Sequence, residues 1–188
     1  IRDADAVAAA VTAFAPDVIV HLAAIHYIPE CEQQPELAVS TNIDGTVNLL
    51  TAAPAGCRFV FASSGAVYEP DDDPHRETGA LRPSDIYGFS KLHGEHYLTY
   101  LAAQRGLAGA VVRLFKGVGP GETNPQRVPE IVAQLKSGRK ELRLGNMQAK
   151  RDYIHVRDAA LGFVSVALGG ELEPGRTVTV NLGTSRTY

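Results

Sequence analysis

The chain has 188 residues, 45% hydrophobic and 21% charged, with a net charge of −3. That balance suits a folded domain with one sizeable core, and its scattered basic residues offer no nucleic-acid surface and no patch for an anionic membrane. Its two cysteines lie in unrelated segments and no apolar stretch nears the ~18 residues of a spanning helix, so a reduced, cytoplasmic protein with a small-molecule partner is expected.

Ile1 opens directly onto an amphipathic segment with neither an initiator methionine nor a preceding strand, and the chain stops just after Val178-Thr-Val-Asn-Leu-Gly183. Truncation at both ends is expected. An alanine-rich helix over 5–14 ends at Pro16, ahead of the apolar strand Val18-Ile-Val-His-Leu22. A longer helix over 35–53, stopped by Pro54 and Gly56, leads to a second buried strand over 58–63. Neither strand alternates apolar with polar residues, which predicts a sheet covered on both faces and therefore parallel. Residues 65–83, proline-rich and carrying three successive aspartates, are expected to form a loop. A helix over 84–104, N-capped by Ser84 or Asp85, and a strand over 108–115 follow. This alternation predicts an α/β fold with a doubly wound parallel sheet, whose ligands sit at the carboxyl ends of the strands.

After Phe115 the pattern changes. A Gly/Pro-rich loop over 116–126, a helix over 128–137 and a short strand over 142–144 predict part of a small separate lobe. Tyr153-Ile-His-Val156, a helix over 157–168 and a strand over 177–182 are then expected to rejoin the main sheet. The chain thus divides into 1–115, 116–150 and 151–188.

Tyr87 and Lys91 stand four residues apart, so on a helix they share one face. An ammonium beside a phenol favours the phenolate, which would let a group with a pKa of about 10 act as a base near neutral pH. Removing a hydride from a secondary alcohol needs a base on its hydroxyl and donors for the developing oxyanion. Tyr87 fits the first role and Ser64, at the end of an apolar run, fits the second; the bland reading of Ser64 is a turn serine. His21 reads as a packed histidine. The six histidines show no metal-ligand spacing, so no metal is expected.

These residues lie in a wider order: His21-Leu-Ala-Ala24, Asn42-Ile-Asp-Gly-Thr-Val-Asn-Leu-Leu50, Phe61-Ala-Ser-Ser-Gly-Ala-Val-Tyr68 and Tyr87-Gly-Phe-Ser-Lys91. Val112-Arg-Leu-Phe115, Gly119-Pro-Gly-Glu-Thr-Asn124, Arg151-Asp-Tyr-Ile-His-Val156 and Asn181-Leu-Gly183 continue it. Across its whole length the chain resembles the extended short-chain dehydrogenase/reductase family, in its NAD-dependent, UDP-glucose 4-epimerase-like nucleotide-sugar epimerase/dehydratase branch. The resemblance implies a Rossmann-like sheet with NAD as cofactor, NADP staying open. It implies that Tyr87 transfers the proton, that Lys91 contacts the nicotinamide ribose and tunes Tyr87, and that Ser64 hydrogen-bonds the reacting sugar oxygen. Leu22, Ala23 and Ala24 resemble the strand end that faces the cofactor, and Ser63 belongs to the same cofactor-side set while serving the strand-end backbone. Asn42 is implied to brace the catalytic helix, a side-chain-to-backbone bond being the alternative. Arg151 resembles the arginine that binds the sugar-nucleotide diphosphate, a surface ion pair with Asp152 or Asp158 being the alternative. A homodimer through the helices over 35–53 and 84–104 is implied as well.

The chain also departs from the family pattern. The glycine-rich turn that cradles a pyrophosphate would lie before Ile1, so this stretch alone is expected to bind a dinucleotide poorly and to be inactive. Lys116 stands where an asparagine usually contacts the substrate phosphates; it can bind phosphate as a point charge but lacks an amide's paired donor and acceptor. Gly117-Val118 replaces the common Val-Tyr. Gly65-Ala66 brings no acid after Ser64, which disfavours dehydration and leaves a 4-epimerase as first expectation, with a reductase or dehydratase as the alternative. A degenerate NAD-binding sensor or scaffold is the non-catalytic alternative.

Overall fold

Successive side chains of a strand point to opposite faces, so an apolar strand without polar alternation has to be covered twice. The computed structural model describes residues 1–71, 73–122, 124–145 and 150–186, which leaves Thr123 of the Gly119–Asn124 motif outside. In chain order its first half runs α1 (Ala4–Phe14), β1 (Val18–His21), α2 (Ile28–Gln33), α3 (Pro35–Val39), a π-helical turn (Ser40–Asp44), α4 (Gly45–Ala52) and β2 (Arg58–Ser64). A 3-10 turn (Gly65–Val67), the long α5 (Ile86–Arg105), β3 (Ala108–Leu114) and β4 (Lys116–Val118) come next. The chain then forms α6 (Arg127–Lys136), β5 (Tyr153–His155), α7 (Val156–Leu168) and β6 (Thr177–Leu182).

Four strands make one sheet in the order β1-β2-β3-β6, every neighbouring pair parallel. Phe59, Phe61 and Val111 face Leu50 of α4 and Leu98 and Ala102 of α5. Val60, Ala110 and Val112 face Phe163 and Ala167 of α7 on the other side. Each such fully buried large side chain stabilises the fold by about 1.5–3 kcal/mol. The expected α/β architecture with a parallel, doubly covered sheet is what the molecule shows.

Two local devices tie the layers together. At the start of β2, the Arg58 guanidinium donates to the carbonyls of Val166, Ala167 and Gly169 through Nη1 and of Gly170 through Nη2. These are the orphan acceptors at the end of α7, and a cation there also meets the negative end of the helix dipole. In α5, Gly94 lies so close to the Phe61 ring that a Cβ would collide with it. A substitution there would push the helix off β2.

Four expectations change. The helix over 35–53 contains the π-helical turn and is preceded by a separate α2, started by Pro29 in its first turn. Residues 142–144 form no strand, because Gln134 takes both backbone groups of Arg143: its Nε2 donates to the carbonyl and its Oε1 accepts from the N–H, each at 2.8 Å. The stretch over 116–126 is not all loop, since β4 opens it. Tyr153–His155 pairs with β4 in a separate two-stranded parallel sheet and does not rejoin the main one; only β6 does. Among the described residues no helix is long and apolar enough to cross a membrane, and no group of three or more His, Cys, Asp or Glu could hold a metal.

Candidate active site

Helix α5 begins with Asp85, whose carboxylate accepts from the Gly88 N–H at 2.7 Å, while Glu32 of α2 accepts from the Ile86 N–H at 2.9 Å. Both donors are orphans of a helix N-terminus. Gly88 lets this first turn rest on the carboxyl end of β2: a Cβ there would stand about 2.5 Å from the Ala66 carbonyl oxygen. The close approach brings Tyr87 against Ser64. The Ser64 hydroxyl accepts from the Ala66 N–H at 3.2 Å, which is the turn role, and it stands near enough to the Tyr87 phenol to favour the phenolate.

One turn further along α5, Lys91 is buried, its Nζ 5.0 Å from the centre of the Phe61 ring and 5.7 Å from that of Tyr87. No carboxylate or carbonyl of the described residues pairs with it. Burial therefore pushes Lys91 down to about 8, opposed only weakly by the nearby Cys31 thiol. The same burial pushes Tyr87 up to about 12, against the pull of the Ser64 hydroxyl. This corrects the expected lowering of the phenol: desolvation disfavours both charged forms and outweighs the attraction between them. At neutral pH the pair is a phenol beside an ammonium.

Asn42 holds this arrangement from behind. Its Oδ1 accepts from the Ile25 N–H (2.8 Å), and its Nδ2 donates to the Ile25 carbonyl (2.9 Å) and to Ser90 Oγ (3.0 Å). Ser90 in turn donates to the Tyr87 carbonyl at 2.7 Å. One buried amide thus joins the loop after β1 to the Tyr87–Lys91 stretch of α5. The π-helical turn widens the helix where Asn42 sits, leaving its carbonyl to the Thr46 hydroxyl at 2.6 Å. Because Thr46 donates there, it accepts from His21 Nε2 at 2.8 Å, which makes His21 a neutral, packed imidazole; burial first and Lys91 second push it down to about 4. Leu22 and Ala23 are exposed at the end of β1, and Ala24 is half-buried.

Ser63 does not serve the strand-end backbone. Its hydroxyl donates to Glu95, whose carboxylate also takes Arg113 Nε (2.9 Å) and Nη2 (2.7 Å). Arg113 Nη1 reaches the Tyr68 hydroxyl (2.9 Å) and the Glu77 carbonyl (3.0 Å), and the Tyr68 hydroxyl donates to Asn181 Oδ1 (2.6 Å). Neither Glu95 nor Tyr68 stood out in the sequence, although Glu95 repeats the four-residue step of Tyr87 and Lys91.

Lys116, Arg127 and Arg151 line one cavity of about 270 Å³, with His26 and Tyr27 on its wall. Burial pushes Lys116 down; Glu122 raises it again, while Arg151 and Arg127 lower it further. Arg151 is exposed, and its one described hydrogen bond goes to the Lys150 carbonyl, not to Asp152 or Asp158. Asp152 instead clamps the turn after β6, accepting from the N–H groups of Thr184 and Ser185.

Comparison with known proteins fits this geometry. Residues 1–183 match the NAD dependent epimerase/dehydratase family. The chain is 30% identical over 167 residues to a GDP-6-deoxy-D-mannose reductase of Pseudomonas aeruginosa, covering 83% of this chain and 55% of that one. It is 33% identical over 190 residues to a UDP-glucose 4-epimerase of Rhizobium meliloti, covering 90% and 57%. The crystal structure of a Brucella ovis UDP-glucose 4-epimerase in complex with NAD superposes with a TM-score of 0.83 at 28% identity, over 100% of this chain and 63% of that one. The chain spans about half the length of the curated relatives it matches.

Proposed function

The chain belongs to the NAD dependent epimerase/dehydratase family, and from that premise we propose that the intact protein is an NAD-dependent 4-epimerase of a nucleotide sugar. The observation that carries the reading is the convergence of Ser64, Tyr87 and an unpaired buried Lys91 at the carboxyl end of β2. The residues present fit the cofactor. A buried ammonium without an acceptor suits ribose hydroxyls, and the small Ala23 and Ala24 at the end of β1 leave room for a dinucleotide along the backbone. Leu22, Ala23, Ala24 and Lys91 would hold it, with Asn42 bracing them from behind. NAD supplies a reversible acceptor for the sugar hydride, so that no net oxidation results.

Tyr87, as the phenolate, takes the proton of the sugar hydroxyl and later returns it. Ser64 has an oxygen already committed to the Ala66 N–H, which leaves its proton to steady the oxyanion. Lys91 holds the charge that develops on Tyr87. At the other end of the substrate, Lys116 and Arg151 meet the diphosphate as charges on the cavity wall.

A second reading is supported by the likeness to a reductase: the same residues could run the reaction one way, with net consumption of reduced cofactor. Incubating the intact protein with NAD and nucleotide sugars separates the two. Interconversion of the 4-epimers without cofactor turnover supports the first reading, and steady use of NADPH supports the second. Under either, Tyr87→Phe should lower kcat by about 10²–10⁴-fold, and a variant that keeps most of its turnover would remove Tyr87 from the chemistry. We also infer a homodimer, supported by the exposed Phe89, Tyr97 and Tyr100 along α5 and Val39 on α3; a monomeric mass of the intact protein in sedimentation would contradict it.

A further inference from the structure

Three residues one step inside the carboxyl edge of the sheet stand in register: Ser63 of β2 opposite Arg113 of β3, and Arg113 opposite Asn181 of β6. On the same face Phe59, Phe61 and Val111 belong to the apolar core. A polar row there has to be satisfied internally, and one carboxylate does most of this. Glu95, only 5% exposed, receives the Ser63 hydroxyl and one edge of the Arg113 guanidinium, through Nε and Nη2. Tyr68 continues the row to Asn181, whose Nδ2 donates to the His75 carbonyl at 3.1 Å. Apolar side chains of similar volume would hold the layers together at least as well. What the ionic row adds is direction: each bond fixes an angle as well as a distance.

Glu95 lies on the stripe of α5 that carries Tyr87 and Lys91, at successive four-residue steps. Ser63 is the neighbour of Ser64. The carboxylate therefore bolts the helix bearing the phenol to the strand end bearing the serine, on the side away from the reacting groups. We propose that Glu95 is a positioning residue, which sets through Ser63 and Arg113 the approach of Tyr87 to Ser64. This rests on the reading that Ser64 and Tyr87 handle the proton of the reacting hydroxyl.

Glu95→Ala would strand a buried guanidinium and threatens folding, so the test uses Ser63→Ala, which removes one bond to the carboxylate, and Ser63→Thr, which restores the hydroxyl. Glu95→Gln, which keeps an acceptor for Ser63, is the second line. In the intact protein labelled with ¹³C at tyrosine Cζ, the Tyr87 resonance, assigned with Tyr87→Phe, reports its hydrogen bonding without any turnover. Ser63→Ala is expected to shift that resonance and to lower kcat by about 10–100-fold, with KM for the nucleotide sugar and the Kd of NAD within about twofold. Ser63→Thr should restore both, and Glu95→Gln should fall between. An unmoved Tyr87 resonance in Ser63→Ala overturns the proposal, as does a loss of kcat matched by a loss of NAD affinity, which would make Ser63 a cofactor contact. A wild-type protein that turns over no nucleotide sugar while its Tyr87 resonance still answers to Ser63→Ala supports the positioning role and removes the functional reading instead.

Discussion

Lys91 and Glu95 sit one turn apart on the same face of α5, 3% and 5% exposed, and their surroundings are opposite. Glu95 is paired by three hydrogen bonds from Ser63 and Arg113, whereas Lys91 rests on two aromatic faces with no anion paired to it among the described residues. Burying a charge costs several kcal/mol unless partners replace the lost water. A fully compensated charge on this helix is scaffold. An uncompensated one a single turn away costs the fold stability.

Opposite responses to neutralisation would show this difference most strongly. Glu95→Ala leaves Arg113 buried without its partner and should destabilise the protein by about 3–5 kcal/mol, read from denaturant midpoints. Lys91→Met should do the reverse. The folded-state pKa of Lys91 is depressed to about 8 from 10.5, so the penalty of carrying its charge is complete below pH 8 and fades as pH rises toward 10.5. Removing the amine should therefore stabilise the protein at pH 7 by up to about 3 kcal/mol and by nothing above pH 10.5, while abolishing activity. A Lys91→Met protein less stable than wild type at pH 7 would mean that the ring contacts outweigh the desolvation.

The pH dependence of kcat sharpens the same contrast. With Tyr87 as the base, the reactive form of the pair is phenolate beside ammonium, a minor tautomer of the state in which one proton has left the two groups, most of which is phenol beside neutral amine. In the wild type that first proton comes off near pH 8, so kcat should rise with pH and level off there. A substitution that keeps the volume of Lys91 but not its charge should carry the rise toward the value of Tyr87 itself, about 12. A pH profile of the residual activity that stays unshifted would separate Lys91 from the proton transfer.

The smallest effects belong to the charges on the wall of the cavity proposed for the substrate, Arg151 exposed and Lys116 half-buried. Arg151→Ala should raise KM by roughly tenfold or more if it holds a diphosphate, and Lys116→Asn by about two- to fivefold, both at constant kcat. A fall in kcat without a change in KM would move these residues from substrate binding to catalysis.

The same contrast explains what the sequence could convey. Strands β1, β2, β3 and β6 were legible from apolar runs, and the shared helix face of Tyr87 and Lys91 from spacing, because period and spacing are local properties of a chain. Glu95 was not legible, since its importance comes from Ser63 and Arg113, 32 and 18 residues away. The apparent strand over 142–144 failed for a related reason: Gln134, nine residues before Arg143, claims the backbone groups that a strand would need. The expected direction of the Tyr87 pKa failed because proximity of opposite charges can be guessed from a sequence, but the depth of their burial cannot.

Arg58 gives the molecule an order of assembly. Its acceptors lie 108 to 112 residues further along the chain, so a polypeptide emerging from a ribosome makes the guanidinium long before it makes the carbonyls. Until α7 exists, any sheet formed by β1, β2 and β3 keeps bare the face that Phe163 and Ala167 cover. The clasp closes only once residues 166–170 have been synthesised, more than a hundred residues after the guanidinium.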